Sequence, residues 1–159
     1  MNKANSLPIA ILLTGLIAGT LDATAAILNF IISTHKNPAV IFQYIASGVF
    51  GPKAFSGDSY IVIGILFHYL IAYLFTAFFF LIYPYIGGIA KNKVLTAVIY
   101  GVFVWLVMNF IVVPLSDVPK SPFNAKGVIL GIAFLIVCIG LPNAFMAGRF
   151  YNRRGFEEV

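Results

Sequence analysis

The chain is short of charge. Of its 159 residues only 9% are Asp, Glu, Lys or Arg, against roughly 25% in water-soluble domains. Acids are scarcest, with five Asp and Glu against ten Lys and Arg. A solvated surface cannot be assembled from so few charges, and a water-soluble globule is excluded. The single cysteine, Cys138, leaves no partner for an intrachain disulfide. The motifs of familiar enzymes are missing as well: no G-x-x-x-x-G-K-[ST], H-E-x-x-H, G-x-S-x-G or C-x-x-C occurs.

Apolar residues are plentiful instead. They make up 61% of the chain, and the mean hydropathy is +1.00. They gather in four stretches, about 8–33, 60–83, 94–115 and 127–148. A bilayer core of about 30 Å demands roughly 20 such residues of a helix, and each stretch meets that length. The reading is an all-α integral membrane protein, a single transmembrane domain over 1–159 built as a four-helix bundle. Its first partner is the lipid bilayer.

The net charge of +5 invites comparison with nucleic-acid binders. The basic residues, however, stand at segment ends, where helix flanks and anionic headgroups account for them. No basic stripe with interleaved aromatics exists, and no nucleic-acid partner is expected. The first stretch imitates a secretory signal, with Lys3, an apolar run and Ala23-Thr24-Ala25. Hydrophobicity resumes beyond that site at Ile27, Leu28, Phe30, Ile31 and Ile32, so the expectation is an uncleaved span.

Four spans place both termini on one side. That side holds Lys3, Lys91, Lys93, Arg149, Arg153 and Arg154, and the other Lys36, Lys53, Lys120 and Lys126. The more basic side stays in the cytoplasm, which puts both termini there. Between the first two spans, Asn37-Pro38 reads as a helix start. An apolar run follows, and Gly48, Gly51 and Pro52 end it. This short helix, about 38–48, cannot span, so it is re-entrant or interfacial. The link over 116–126 carries Pro119 and Pro122 and reads as an extended loop.

Polar and small residues then pick out the bundle's inner faces. Gly15, Gly19, Asp22, Ala26 and Asn29 recur at steps of four and three, which is one helix face. Glycines at that spacing let helices approach closely in lipid. Gly64, His68, Ala72 and Thr76 form a similar ridge on helix two, and Gly101, Trp105 and Asn109 another on helix three. Gly15, Gly19, Gly64 and Gly101 are thus the expected packing positions. The same face could also serve a homo-oligomer or a membrane partner subunit.

An intramembrane carboxylate is a functional-site candidate to be read with its partner. At 1.5 Å per residue, Asp22 lies about 21 Å above the inner end of helix one, His68 about 18 Å and Asn109 about 22 Å up their own helices. The three are expected to meet in one polar layer, with Gln43 and Trp105 as support. Two histidines in all, His35 at a helix end and His68 within the second span, do not make a bis-histidine haem site. Asp22, His68 and Asn109 are also too thin a set for zinc. No metal and no cofactor is expected. Ser47 could serve as a nucleophile only with an activating base, and no histidine is clearly placed for that. Pro142 is expected to kink the fourth helix, with Asn143 beside it to mend exposed backbone.

Several strings are specific enough to suggest kin: residues 15–25 (GLIAGTLDATA), 43–56 (QYIASGVFGPKAFS), 105–116 (WLVMNFIVVPLS) and 140–142 (GLP). Together they resemble a family of uncharacterised small bacterial inner-membrane proteins with four transmembrane helices. The resemblance implies a bacterial cytoplasmic-membrane location. Its motif positions fall on Asp22, Gln43, Tyr44, Ser47, Gly48, Gly51, His68, Trp105, Asn109 and Pro114. One departure stands out: Phe134 and Leu135 occupy the region where the family pattern has a histidine, so a two-histidine site is not implied here. The functional expectation is a small transport or permeation component using the polar layer. The alternative is a non-catalytic scaffold or accessory subunit in which that layer only orders the bundle.

Overall fold

The computed structural model of the chain describes residues 6–119 and 124–152. Lys3, Lys120, Pro122, Arg153 and Arg154, which entered the charge count and the reading of the second outer link, lie outside the described residues. Among those described there are helices and no strands. Four helices are long and apolar enough to cross a membrane: α1 (Leu7–Thr34), α3 (Ser59–Tyr85), α4 (Lys93–Leu115) and α5 (Ala125–Asn152). A shorter helix, α2 (Ala39–Phe50), joins α1 to α3. The chain is a multi-pass α-helical protein of four such helices.

Helix ends follow local chemistry. His35 closes α1 in the left-handed region at φ 54°, where short polar side chains are tolerated. Asn37 Oδ1 accepts from Ala39 N at 3.0 Å and so starts α2. Gly48 does not end that helix. It lies inside it, where an added Cβ would come 3.4 Å from Ser116 Cβ. The stop comes at Gly51, whose φ of 59° suits only glycine comfortably. Asn92 and Asn124 cap α4 and α5 by accepting from Val94 N, Leu95 N and Lys126 N at 3.1 Å.

The chain order wraps α1 against α3 on one side and α5 on the other, while α4 packs on α5. Glycines set the close approaches. An added Cβ at Gly15 would strike the Tyr73 ring, and one at Gly19 would lie 3.1 Å from Tyr69 and 3.2 Å from Ala72. At Gly64 it would collide with the backbone of Phe42, which holds α2 against α3. At Gly101 it would come within 2.6 Å of Ile136 Cα, and at Gly140 it would strike Ala97 O. Small residues admit backbone-to-backbone contact in lipid, where burial from water gives helices no reason to associate. The lipid-facing side of α1 shows Leu13, Ile17 and Leu28, each more than 40% exposed.

The tightest packing sits at the end bearing the termini. Phe79, Phe80, Tyr83, Tyr100, Phe150 and Tyr151 are buried there with Ala97, Ala144 and Ala147. Tyr83 stacks on Tyr151 with centroids 5.4 Å apart, and Phe79 lies 4.4 Å from Tyr100. Tyr100 donates to Phe75 O at 2.6 Å and Tyr151 to Phe80 O at 2.7 Å. Tyr83 and Tyr100 are therefore core residues and not interfacial anchors, whereas Tyr85 is 88% exposed.

Two wide turns interrupt α4 and α5. Met108–Val112 and Ile136–Gly140 are π-helical, each beginning six residues before a proline, Pro114 and Pro142. A proline ring clashes with the carbonyl four residues back and offers no N–H. The i→i+5 turn opens room for the ring. Val113 N reaches Met108 O, and Leu141 N reaches Ile136 O. At Pro142 the expected disturbance thus takes the form of an opened turn, and Asn143 Nδ2 donates to Ile139 O at 2.9 Å.

Candidate functional site

Between α1, α3, α4 and α5, under α2, lies a partly open cavity of about 450 Å³. Pockets for drug-sized molecules run to roughly 300–1,000 Å³, so this one is of useful size. Its walls are mostly aliphatic and aromatic, with Ile45 from α2, Phe67, Ile71 and Phe75 from α3, and Met108 from α4. Polar side chains enter the wall at Asp22, His68, Tyr44 and Ser116.

Asp22 reaches the cavity because the small face of α1 turns inward. Thr14, Gly15, Ala18 and Gly19 are buried one and two turns before it. His68 is placed by the matching ridge of α3, where Gly64, Ala72 and Thr76 are buried. The two side chains are half-buried and lie within electrostatic reach of each other. The imidazole's hydrogen bonding fixes its tautomer. His68 Nε2 stands 2.8 Å from Gly19 O, and a carbonyl oxygen only accepts, so Nε2 carries the proton. Nδ1 is then the nitrogen that can gain or release one.

The expected third member is elsewhere. Asn109 is exposed on the outside of the bundle, with its Nδ2 donating to Trp105 O at 2.9 Å. The ridge it shares with Gly101 and Trp105 faces α5, at Ile136 and Gly131, and not the cavity. The polar layer proper is Asp22 with His68.

Trp105 and Gln43 also stand outside the cavity wall. The Trp105 indole packs over Gly131 on α5, its Nε1 3.3 Å from where a Cβ there would sit. Gln43 Nε2 donates to Gly57 O at 3.3 Å and braces α2 against the link that follows it. Ser47 is buried, with its hydroxyl donated to Tyr44 O at 2.6 Å. Among the described residues no three His, Cys, Asp or Glu side chains converge as a metal would need.

Phe67, Ile71, Phe75 and Met108 carry no mark in the residue pattern as lining residues. An apolar side chain facing a cavity and one facing lipid are the same in sequence. A usable hint lay in Pro114 and Pro142, whose π turns fall in α4 and α5 beside the cavity. Comparison with known protein families, curated proteins and solved structures finds no match for the chain. The class of molecule is therefore defined by its architecture alone: an α-helical multi-pass protein with an acid and a histidine facing an apolar internal cavity.

Proposed function

We propose that this chain is a small transport or permeation component of a bacterial cytoplasmic membrane, with both termini on the cytoplasmic side. In this reading a solute occupies the cavity, and Asp22 and His68 are its proton-exchanging or ligand-binding groups. The resemblance to small inner-membrane proteins read in the strings around Asp22, Gln43 and Trp105 supports the location. The single observation that carries the function is the convergence of Asp22 and a tautomer-fixed His68 on a cavity of about 450 Å³. A carboxylate in the membrane is costly to keep without use. With Nε2 committed to Gly19 O, a proton released from His68 Nδ1 can pass to Asp22, and the reverse transfer restores the pair.

The experiment is flux in proteoliposomes enclosing a pH-reporting dye. The wild-type chain should relax an imposed pH gradient faster than empty vesicles, and Asp22→Asn should return the rate to that background. Equal rates in the wild type and Asp22→Asn would refute the reading. A second reading draws on the same bond. His68 Nε2 ties α3 to α1 at Gly19, so the pair could serve only to set helix register in a scaffold or accessory subunit. That reading expects His68→Leu to lower stability by about 1 kcal/mol, the usual net value of one hydrogen bond, with no flux in any variant.

A further inference from the structure

The cavity is partly open, and its exposed wall residues mark where. Among the described residues, the hydrogen bond and ring contacts that join α3 to α4 lie toward the end bearing the termini: Phe75 O with Tyr100, Phe78 stacked on Phe103 at 5.5 Å, and Phe79 against Tyr100. Beyond Phe75, toward α2, no hydrogen bond or ring contact joins these two helices among the described residues. Phe67, Leu70 and Ile71 instead face the cavity from one side, and Met108 and Val112 from the other. Leu70 and Val49 belong to the cavity wall and are still 54% and 62% exposed, which marks them as its rim. Over the top, α2 crosses from α3 to the end of α4. It is fastened there by Asp117 N donating to Gly48 O at 3.1 Å and by Tyr44 O–H donating to Pro119 O at 3.3 Å. Both rim residues are apolar, and Leu70 lies well inside the α3 span.

The polar atoms left free inside are of one kind. Tyr44 has donated its proton to Pro119 O, Ser116 Oγ donates to Val113 O at 2.8 Å, and His68 Nε2 is held by Gly19 O. The carboxyl of Asp22 receives no hydrogen bond from the described residues. What faces an incoming molecule is therefore the Asp22 carboxyl, an acceptor when ionised, and His68 Nδ1, which accepts whenever Nε2 holds the ring's one proton. A ligand that satisfies them must bring donors and positive charge, on an apolar body that suits the remaining wall. An anionic or acceptor-only head would leave the carboxylate unpaired in an apolar surround, which is strongly unfavourable.

We propose that the cavity is a binding site for single-chain amphiphiles with a protonated primary amine head, which enter sideways from the bilayer through the window between α3 and α4. The ammonium group sits against Asp22, and the alkyl chain fills the space between Phe67, Ile71 and Met108. This rests on the reading of the cavity as a solute site and adds to it both a ligand class and a route.

The test uses the full chain in phosphatidylcholine nanodiscs with radiolabelled dodecylamine, and empty nanodiscs as background. The wild type should show saturable binding above background. Asp22→Asn should weaken it at least about tenfold, for loss of a charge-assisted contact. Unlabelled dodecyl sulfate and tail-less methylammonium should not displace the label. Leu70→Trp, placed on the exposed rim where it leaves the core packing intact, should slow loading at least about tenfold, because an indole obstructs the window. Unchanged binding in Asp22→Asn, displacement by dodecyl sulfate, or wild-type loading rates in Leu70→Trp would each overturn the proposal. Displacement by methylammonium would overturn the amphiphile and its route while leaving a solute site in place. Absence of dodecylamine binding alongside Asp22-dependent flux would likewise sink this proposal alone. Absence of both would remove the transport reading with it.

Discussion

The end of the bundle that bears the termini and the end beneath α2 use the same four helices and much the same amino acids, yet they pack differently. At the first, Phe79 and Phe80 are almost wholly buried, Tyr100 and Tyr151 donate across helices, and Gly101 and Gly140 bring α4 onto α5 backbone to backbone. At the second, α3 and α4 line opposite sides of the cavity, α4 loosens into a π turn with no buried residue, and an acid faces an apolar wall. In lipid, helices associate through packing and hydrogen bonds and gain little from burial. A bundle that opens at one end must then take its cohesion from the other. The closed end holds the molecule together so that the open end can be hollow.

That contrast can be broken by substitution. Phe79→Ala should be the most damaging change, lowering stability by about 3 kcal/mol through lost packing, read as the midpoint of unfolding in mixed detergent. The matched change Phe67→Ala only enlarges a space that already exists and should cost less than about 1 kcal/mol. Equal losses would abolish the distinction. Gly101→Leu should come next, at about 1–3 kcal/mol, because its Cβ meets the Ile136 backbone, which cannot move aside as a side chain can; thermal melting of the purified chain measures it. Ile71→Phe fills the hollow end and should raise stability by about 1 kcal/mol while reducing flux in proteoliposomes. The smallest effect belongs to Thr76→Val. The Thr76 hydroxyl is fully buried with no hydrogen-bond partner among the described residues, and removing it should leave stability unchanged or raise it by about 0.5–1 kcal/mol.

The spans were the easiest part to read from sequence. Expected bounds of 8–33, 60–83, 94–115 and 127–148 stand against Leu7–Thr34, Ser59–Tyr85, Lys93–Leu115 and Ala125–Asn152. Long apolar runs admit one conformation in a bilayer, because every backbone N–H must be satisfied within the helix. The neighbourhood of Asp22 and His68 was also legible, from rise per residue and two small-residue ridges. Asn109 was misplaced because rise gives height and leaves rotation to be assumed, and the Gly101–Trp105 ridge it follows turns to α5. The hollow was not legible at all, since no difference in residue type separates Ile71, on the cavity wall, from Leu66, which is 64% exposed.

The glycine contacts of α1 fall on Tyr69, Ala72 and Tyr73, all within the first half of the chain. Those of α4 fall on α5, in the second half. A ribosome delivers the chain in that same order. The acid of the first helix can find the histidine of the third helix, and α2 its seat on Gly64, before α4 has been made. The second pair then assembles on its own glycines and docks through α5 onto α1. Chain order thus lets two hairpins form before they join, and the hollow bounded by α1, α3, α4 and α5 is complete only once both are in place.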